Sequence, residues 1–389
     1  MRTAAMYLPG FHECQLNSAW WGQGATEWDS VRSATPLAAN HRQPRTPTWG
    51  FYDLSNPRVI AKQAALAKEF GIDGFCIYHY WSLGKRPLRK PLEVILDNPD
   101  LDVKFCLCWA NHPWFTTWKG YSKKPRRLMA QLYEADKAQR QLHIDFLIRA
   151  LSDDRAMRIS DRPVISIFDP SPISIMTDFI DHLRSEALRR LRLDIFCSAW
   201  VTPQQAVTST ELLTLFDSLI LSAGSGLQKQ RELNFFEGSW RDLDWLARRF
   251  PETLKTDSLR FLYWQLKSKS SRPVKKLDSD EFWKNYLSEY EALSSLNYSN
   301  IDAQLLVGWD NTPRLGSFGS YFANFDIDKL SKYTDQLVSL VTKRNPGGLI
   351  YIYAWNEWGE GAYLEPDTHS GTASLQAISE ALKRNRRSQ

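Results

Sequence analysis

Short apolar runs of strand length recur along the chain, and amphipathic stretches with helical spacing separate most of them. The strand-like runs are almost wholly apolar, which is typical of parallel strands covered by helices. The predicted strands are Ala4–Leu8, Gly74–His79, Lys104–Trp109, Val164–Phe168, Asp194–Cys197, Ser218–Leu221, Gln304–Gly308 and Leu349–Ala354. The predicted helices are Pro57–Phe70, Glu134–Leu151, Asp178–Leu191, Asp280–Leu293, Asp328–Thr342 and Gly371–Lys383.

Eight such strands match the α/β repeat of a (β/α)8 TIM barrel. The alternative is an open doubly wound sheet, but Gly22-Gln-Gly24 neither follows a strand nor opens a helix, so the dinucleotide-binding fingerprint of that fold is missing. We predict a TIM barrel with enlarged βα loops. Because no linker or internal repeat divides the chain, residues 1–389 are predicted to form one catalytic domain with long insertions at about 9–56 and 222–303.

Composition and charge narrow the class of protein. The chain has a formal net charge of +5 from 49 basic and 44 acidic side chains, which is small for 389 residues, so no nucleic-acid partner is expected. No apolar run approaches the ~20 residues of a membrane-spanning helix, and the first residues enter a strand at once. We therefore predict a cytoplasmic protein without an integral membrane segment. The sequence carries no signal for an oligomeric state.

Cofactor and metal chemistry find little support in the motifs. Neither the five cysteines nor the seven histidines complete a zinc-ligand pattern, and the cysteines are predicted to be buried free thiols. Four Asp-x-Asp pairs lie at helix starts or in loops, where they are better explained as caps than as ligands of a divalent ion. The Gly-x-Ser-x-Gly elbow of a serine hydrolase is absent. We expect no metal and no cofactor.

Aromatic and polar residues gather where the predicted strands end, and the carboxyl ends of the strands carry the functional site in such barrels. Any one tryptophan is typical of core or rim packing, but several at the ends of different strands predict one aromatic opening suited to sugar rings. These tryptophans are Trp81, Trp109, Trp200, Trp309 and Trp355. The polar residues predicted to bind sugar hydroxyls there are Tyr7, His79, Tyr80, Asn111, Asp310 and Asn356.

The turn after the last predicted strand carries two glutamates, Glu357 and Glu360. On a helical turn their Cβ atoms would lie roughly 5–6 Å apart, and carboxyl groups ~5 Å apart suit a retaining glycosidase. Their proximity is expected to raise one pKa, which would place an acid beside a base. The alternative for each glutamate is a helix cap or an ion pair with arginine. Carboxylates facing apart, or sealed against arginines beneath the barrel floor, would remove the hydrolase interpretation.

Seven stretches from Met6 to Asp367 occur in the order found in one known family: MYLPGFHE, WWGQGATEWDSV, HRQPRTPTWGFYDL, GIDGFCIYHYW, FCLCWAN, GWDNTPR and WNEWGEGAYLEPD. Together they resemble the WbsX-like proteins of bacterial surface-polysaccharide gene clusters, a group similar to family 99 glycoside hydrolases. Members of family 99 are (β/α)8 endo-acting α-mannosidases that retain anomeric configuration. The resemblance therefore implies the same fold and a retaining endo-acting glycoside hydrolase.

The resemblance also implies roles for individual residues. In the route proposed for family 99, one glutamate acts as a base on the 2-hydroxyl of the sugar, which attacks C1 and forms a 1,2-anhydro sugar. A second glutamate protonates the leaving oxygen and later activates water. By this resemblance Glu357 would be the base, Glu360 the general acid/base and Asn356 a sugar contact. Glu27, in the TEWD stretch, could supply a further carboxylate.

One stretch departs from the resemblance. Many WbsX-like proteins have Trp-Ala-Asn-Glu-Asn-Trp after the third strand, whereas this chain has Trp109-Ala-Asn-His-Pro-Trp114. A carboxylate is thereby replaced by His112. If His112 contacts the substrate, the glycan differs, so mannose specificity is not carried over.

The leading hypothesis is a glycoside hydrolase that acts on an oligo- or polysaccharide, such as a bacterial cell-surface polysaccharide. One alternative is a glycosyltransferase of O-antigen or capsule polysaccharide biosynthesis, although no nucleotide-binding motif is found in the sequence. Another is a glycan-binding protein without activity. The presence of both Glu357 and Glu360 argues against this second alternative.

Overall fold

Eight parallel strands form a closed barrel in the computed structural model, which describes residues 2–82, 84–116, 126–131, 137–224, 227, 273–295 and 300–387. Consecutive strands pair in parallel around the barrel, which closes where β8 pairs with β1. This closure confirms the TIM barrel and excludes the open sheet, because an open sheet has two unpaired edges. The strands are β1 (Arg2–Tyr7), β2 (Gly74–His79), β3 (Phe105–Trp109), β4 (Arg162–Ile167), β5 (Phe196–Val201), β6 (Ser218–Leu221), β7 (Ile301–Leu306) and β8 (Leu349–Tyr353).

Helices cover the outside of the barrel. The first begins where Asn56 caps it by accepting a hydrogen bond from Arg58 N, with Pro57 at the first helical position. No helix in the described ranges is long and apolar enough to cross a bilayer. The covering helices are α1 (Pro57–Glu69), α2 (Lys90–Asp97), α3 (Lys137–Leu151), α4 (Ile173–Leu191), α5 (Pro203–Thr208), α6 (Thr210–Leu215), α7 (Ser279–Ser295), α8 (Ile327–Arg344) and α9 (Ala373–Arg387).

The predicted elements match the observed ones closely, with two kinds of difference. The fifth strand, β5, begins later and extends to Val201, so that Trp200 lies within the strand instead of after it. The seventh strand, β7, is Ile301–Leu306, so it begins and ends earlier than the predicted Gln304–Gly308. Helices α2, α5 and α6 have only 8, 6 and 6 residues, which is too short for a helical period to be recognised. Of the predicted insertion 222–303, residues 225–226, 228–272 and 296–299 lie outside the described residues. The single-domain organisation stays a prediction.

Side chains of the barrel strands alternate between the barrel interior and the layer beneath the helices. In β2, Cys76 belongs to the interior cluster and Tyr78 packs against it, whereas Phe75 and Ile77 belong to the outer cluster. Four of the five cysteines are buried, and none of the five forms a disulfide, as predicted. The interior cluster contains Ala4, Met6, Cys76, Cys106, Cys108, Val164, Trp200, Ile220, Leu349 and Tyr351.

The insertion at 9–56 extends over the carboxyl ends of the last two strands. It contains the short helices Gln15–Trp21 and Trp28–Ser33. The ring of Trp28 lies 6.0 Å from that of Trp358, which follows β8, and its Nε1 donates to the carbonyl of Tyr52. The insertion thereby brings Glu27 close to the loops that follow β7 and β8.

Candidate active site

Three carboxylates converge on one guanidinium at the carboxyl ends of β7 and β8. Arg314 donates from Nη2 to Glu357 at 2.7 Å and to Glu27 at 3.2 Å, and from Nη1 to Glu360 at 2.6 Å. The side chain of Glu357 is 3% exposed and that of Glu360 is 20% exposed. The two predicted glutamates therefore face one point at the barrel opening. Both are also paired with an arginine, which is the alternative stated for each of them above.

Two glycines allow this close approach. Trp358–Glu360 forms one turn of 3-10 helix, and a Cβ at Gly359 would lie 2.7 Å from Nε of Arg314. Gly361 has a φ of +58°, which favours glycine, and a Cβ there would lie 2.7 Å from Cβ of Asp310. The amide of Asp310 donates to the carbonyl of Glu360 at 2.7 Å, which fixes the turn against the loop after β7.

The electrostatics of the cluster favour a strong base. Burial raises the pKa of Glu357 well above its usual range, and Glu360 and Glu27 add to the rise, whereas Arg314 opposes it. Burial alone would lower the pKa of Arg314, but Glu357, Glu27 and Glu360 raise it well above its usual value. Because Arg314 stays charged, it stabilises the ionised form of Glu357. A buried carboxyl group with a raised pKa is a stronger base than usual once it is ionised, so it can accept a proton from a substrate hydroxyl.

The second glutamate has a different environment. Glu360 accepts one hydrogen bond from Arg314 and another from the hydroxyl of Tyr353, at 2.7 Å. Tyr353 is the last residue of β8 and is half-buried. A general acid must reach the leaving oxygen of the substrate, so a bound substrate must displace one of these two contacts before Glu360 can act as an acid.

Aromatic rings near the glutamates provide the apolar part of the opening. The ring of Tyr78 lies 6.3 Å from that of Tyr80 and 6.4 Å from that of Phe168. Burial raises the pKa of Tyr80, and the charges of Glu357 and Glu27 raise it further, whereas Arg314 opposes the rise. Phe168 is 38% exposed, so its ring is available to a ligand.

His112, the residue that departs from the family pattern, belongs to the same aromatic group. Its ring lies 5.2 Å from that of Phe168 and 6.4 Å from that of Tyr80. Burial lowers the pKa of His112 to about 4, so the imidazole is neutral at physiological pH. The prediction that it contacts substrate is compatible with this position, and the charge of the glutamate it replaces is absent here.

The five tryptophans do not line one opening, which corrects that prediction. Trp355 is fully buried, and Trp81 stacks on His143 of α3 with ring centroids 4.6 Å apart. The ring centroid of Trp109 lies 4.7 Å from that of the same histidine. Trp200 lies within the barrel interior. Only Trp309 is partly exposed, with Nε1 donating to Ser320. Successive side chains along a strand point to opposite faces. A position at the end of a strand therefore does not show which face the side chain takes.

Two of the predicted polar contacts point toward the helix layer. The hydroxyl of Tyr7 donates to Gln63 of α1 at 2.6 Å and is fully buried. Nε2 of His79 lies 3.0 Å from Nε2 of His143, and burial lowers the pKa of His79 to about 3. Both side chains are therefore occupied in packing the barrel against its helices.

The two predicted asparagines bind backbone groups. Asn111 accepts from the amide of Asp169 at 2.8 Å and donates to the carbonyl of the same residue at 2.6 Å. Asn356 accepts from the amide of Leu8 at 2.8 Å and donates to its carbonyl at 3.0 Å. Asn356 is fully buried, so it fixes the start of the Glu357 turn against the loop that follows β1.

Asp310 is the centre of a second buried polar cluster. Its Oδ1 accepts from Thr312, and its Oδ2 accepts from Gln43 at 2.7 Å and lies 3.0 Å from Nε2 of His41. Arg45 approaches the same oxygen at 3.6 Å. Burial alone would raise the pKa of Asp310, but His41, Arg45, Thr312 and Gln43 lower it. Both oxygens are engaged within the protein, so Asp310 holds the 9–56 insertion against the loop that bears Arg314.

Glu365, the third acidic residue after β8, lies in a closed environment. It accepts hydrogen bonds from Tyr52 at 2.5 Å, Gln63 at 2.6 Å, Trp358 at 2.7 Å and Trp355 at 3.1 Å. It is 3% exposed. Burial raises the pKa of Glu365 to about 7, even though all four donors oppose the rise. Glu365 therefore stabilises the loop and takes no part in the open cluster.

Four residues of the site were not predicted: Arg314, Tyr353, Phe168 and Tyr78. Arg314 lies within the GWDNTPR stretch, so its motif was a signal, but its partners are distant in sequence. Tyr353 shares the interior face of β8 with Tyr351, two positions earlier, and this alternation could have indicated it. Phe168 ends the predicted fourth strand as an aromatic residue of the same kind as the tryptophans that were selected.

Two solved structures share this fold across almost the whole chain. The GH99 endo-alpha-mannosidase from Bacteroides thetaiotaomicron is 12% identical with a TM-score of 0.54, and the match covers 99% of this chain and 98% of that one. A protein described as glycoside hydrolase-like is also 12% identical, with a TM-score of 0.57 and coverage of 98% and 93%. The fold is thus that of glycoside hydrolase-like (β/α)8 proteins.

The family follows from sequence. The family described as Glycosyltransferase WbsX matches residues 3–378. The uncharacterized protein WxcX of Xanthomonas campestris pv. campestris is 30% identical over 391 residues, which cover 98% of this chain and 49% of WxcX. The chain therefore belongs to the WbsX family, as the motifs imply. It spans about half the length of the WxcX proteins that it matches.

Proposed function

We propose that this protein is a retaining, endo-acting glycoside hydrolase of the family 99 type, whose substrate is a bacterial cell-surface polysaccharide or a related glycan. The observation that carries the proposal is the convergence of Glu357 and Glu360 on the guanidinium of Arg314 at the barrel opening. Two carboxylates that meet at one point can act on one anomeric centre. The similarity of the fold to the Bacteroides endo-mannosidase supports the same class of reaction.

The environments of the two glutamates fit different tasks. Glu357 is buried, has a raised pKa and contacts Arg314, which suits a base that removes the proton of the sugar 2-hydroxyl. The 2-hydroxyl oxygen then attacks C1, the bond from C1 to the leaving oxygen breaks, and a 1,2-anhydro sugar forms. Glu360 is the more exposed carboxylate and would give its proton to the leaving oxygen. Glu360 then removes a proton from water, whose oxygen attacks C1. The bond from C1 to the 2-oxygen breaks, and Glu357 returns its proton to that oxygen, with net retention.

Arg314 determines when this chemistry is possible. In the free protein it neutralises part of the charge of three carboxylates and so keeps them together. A sugar that inserts between Glu360 and Arg314 would weaken that ion pair and free Glu360 to contact the leaving oxygen. The site would then become an acid and base pair only when the substrate is bound.

A glycosyltransferase is the second candidate, because the description of the matching family uses that word. Such an enzyme would need to bind a nucleotide sugar. Calorimetric titration of the full chain with nucleotide sugars tests this directly. Binding of a nucleotide sugar, with transfer of its glycosyl group to an acceptor, would replace the hydrolase proposal.

The hydrolase proposal is tested with Glu357→Gln and Glu360→Gln. Each variant is expected to lose at least about 100-fold in turnover of the glycan while still binding it, because general acid and base groups contribute about 10²–10⁴-fold. Products would be followed by proton NMR to establish the anomeric configuration. Full turnover in either variant, or inversion at the anomeric carbon, would refute the assigned roles. Glu13→Gln, on the exposed surface, is the matched control.

A further inference from the structure

A cavity of about 980 Å3 lies beside the glutamate cluster. Its walls come from residues 40–46 of the insertion, from the loop after β7 and from the loops that follow β8. Gly308 and Gly361 line it at the side of the barrel, but Glu27, Arg314, Glu357 and Glu360 do not. The cavity is at the upper end of the ~300–1,000 Å3 range of small-ligand sites, so it has room for several sugar units.

The walls combine aromatic rings with groups of both charges. Trp309 and Tyr363 are two of the rings, and the guanidinium of Arg45 lies 5.6 Å from the ring centroid of Tyr363. Asp367 accepts a hydrogen bond from the hydroxyl of Tyr363 at 2.6 Å. A phosphate-bearing ligand would meet the carboxylates of the wall as well as its cations. Flat rings beside interspersed donors and acceptors instead suit a neutral ligand rich in hydroxyls. The acidic wall residues are Asp326, Asp328 and Asp367.

Gln43 helps to fix the shape of this wall. The residue is 7% exposed, and its Nε2 donates to Asp310 at 2.7 Å. Its Oε1 is buried, so the hydrogen bond to Asp310 holds the side chain in the wall and this oxygen does not itself face a ligand in the cavity.

The cavity is also connected to the proposed catalytic turn. Gln43 and Arg45, both wall residues, contact Asp310, whose amide donates to the carbonyl of Glu360. A ligand in the cavity therefore contacts the residues that position this turn. Asp310 therefore links the wall to the turn through a hydrogen bond from Gln43, an ion pair with Arg45 and a hydrogen bond to Glu360.

We propose that this cavity is a second saccharide-binding site, which takes a neutral oligosaccharide segment next to the glutamate cluster. The choice of a glycan as ligand rests on the proposed function, but binding at the cavity does not require turnover. A polysaccharide that occupies both places would be held at two points. Affinity for long chains would then exceed affinity for short ones.

The test is calorimetric titration of the full chain with neutral manno-, gluco- and galacto-oligosaccharides of two to four units. Ala323→Trp fills the cavity from an exposed wall position, and His369→Trp fills it from a second exposed wall position. Ala138→Trp, at the exposed start of α3, is the matched control. At least one oligosaccharide is expected to bind the parent protein and the control equally, and to bind both cavity variants at least 10-fold more weakly. Thermal unfolding confirms that each variant is folded.

Several results would overturn this proposal. The first is unchanged oligosaccharide affinity in both folded cavity variants. The second is absence of oligosaccharide binding by the parent protein. The third is that the parent protein binds inorganic phosphate or diphosphate but no saccharide, and that the cavity variants lose this binding. The outcome is separable from that of the proposed function. Loss of turnover in Glu357→Gln tests the catalytic turn alone, whereas the cavity variants are read by affinity. Saccharide binding that is lost in the cavity variants would support the cavity even if the parent protein hydrolysed nothing.

Discussion

Glu365 and the pair Glu357 and Glu360 lie within nine residues of one another, yet the fold uses them in opposite ways. Glu365 is surrounded by four neutral donors and is 3% exposed. Glu357 and Glu360 share a cation, and Glu360 keeps one-fifth of its side chain exposed. A carboxylate in the first environment is saturated by the protein. One in the second can exchange a protein partner for a ligand.

The comparison shows what decides the role of an acidic residue in such a loop. The tyrosine, tryptophan and glutamine donors around Glu365 are neutral, so their hydrogen bonds do not depend on a neighbouring charge. They hold the Glu365 side chain in place. A guanidinium at an opening holds its carboxylates through charge, and the strength of that interaction changes when a ligand excludes water. The same side chain therefore serves the fold in one place and is available for chemistry in the other.

Among the changes at the glutamates, the largest expected effect on stability comes from Glu365→Gln. The amide would direct its NH2 group at donors that now point to a carboxylate oxygen, so buried donors would lose their acceptor. We expect a loss of about 2–4 kcal/mol in the free energy of unfolding, measured by urea denaturation at pH 8. Glu360→Gln is the matched change at the open cluster and is expected to lose about 1 kcal/mol or less. Equal losses in the two variants would contradict the distinction drawn between the two environments.

The pH dependence of stability sharpens the same distinction. The pKa of Glu365 is raised to about 7 in the folded protein, against 4.5 as its ordinary value. Between these values the folded state holds a proton that the unfolded state has released, so this group makes stability fall as the pH rises. The contribution is on the order of 3 kcal/mol between pH 4.5 and a pH above 7.

Urea denaturation of the parent protein and of Glu365→Gln from pH 5 to pH 8 measures this contribution. The variant is expected to be less stable throughout but to show a flatter dependence on pH, because the titrating group is gone. Glu13→Gln, which changes an exposed glutamate, should keep the slope of the parent protein. A slope in Glu365→Gln as steep as that of the parent protein would show that other groups cause the dependence.

The barrel could be predicted because its signal is local. Most strands are apolar runs and the long helices other than α3 have a clear period, so the order of the elements follows from the sequence alone. The fifth strand was misplaced because the apolar run continues through Trp200 to Val201, and the predicted run was ended too early. Helices of six to eight residues were missed because they offer fewer than three turns from which to recognise a period.

The site was predicted only in part, because its geometry depends on the face of the strand that each side chain takes and on contacts between residues distant in sequence. Tyr7, His79 and Trp109 end their strands but belong to the outward-facing set, whereas Tyr78 and Tyr353 belong to the inward-facing one. If one inward-facing residue were known on each strand, the alternation of side chains would separate the inward-facing residues from the outward-facing ones. The pairing of Arg314 with Glu27, 287 positions away, leaves no trace in local sequence.

The next expected effect is on the pH profile of the proposed activity, from Arg314→Gln. Without the guanidinium, the pKa of Glu357 is expected to rise further, because burial and the neighbouring carboxylates remain. The acidic limb of kcat/KM against pH should move upward by at least about 1 pH unit, which corresponds to about 1.4 kcal/mol. Arg314→Lys keeps a positive charge and should show a smaller shift. An unmoved acidic limb in Arg314→Gln would mean that Arg314 does not control ionisation of the base.

The smallest expected effect comes from the aromatic side of the open cluster, at Phe168. Its ring is 38% exposed and lies next to Tyr78 and His112, so it has surface to offer a sugar ring. Phe168→Ala is expected to raise KM for the glycan by several-fold, about 1 kcal/mol, with kcat little changed, because it removes binding that is equal in the ground and transition states. Trp355→Ala, in the closed environment of Glu365, should instead destabilise the fold by about 3–5 kcal/mol. If Phe168→Ala lowered kcat with KM unchanged, Phe168 would be acting on the transition state, and the aromatic group would belong to the catalytic geometry itself.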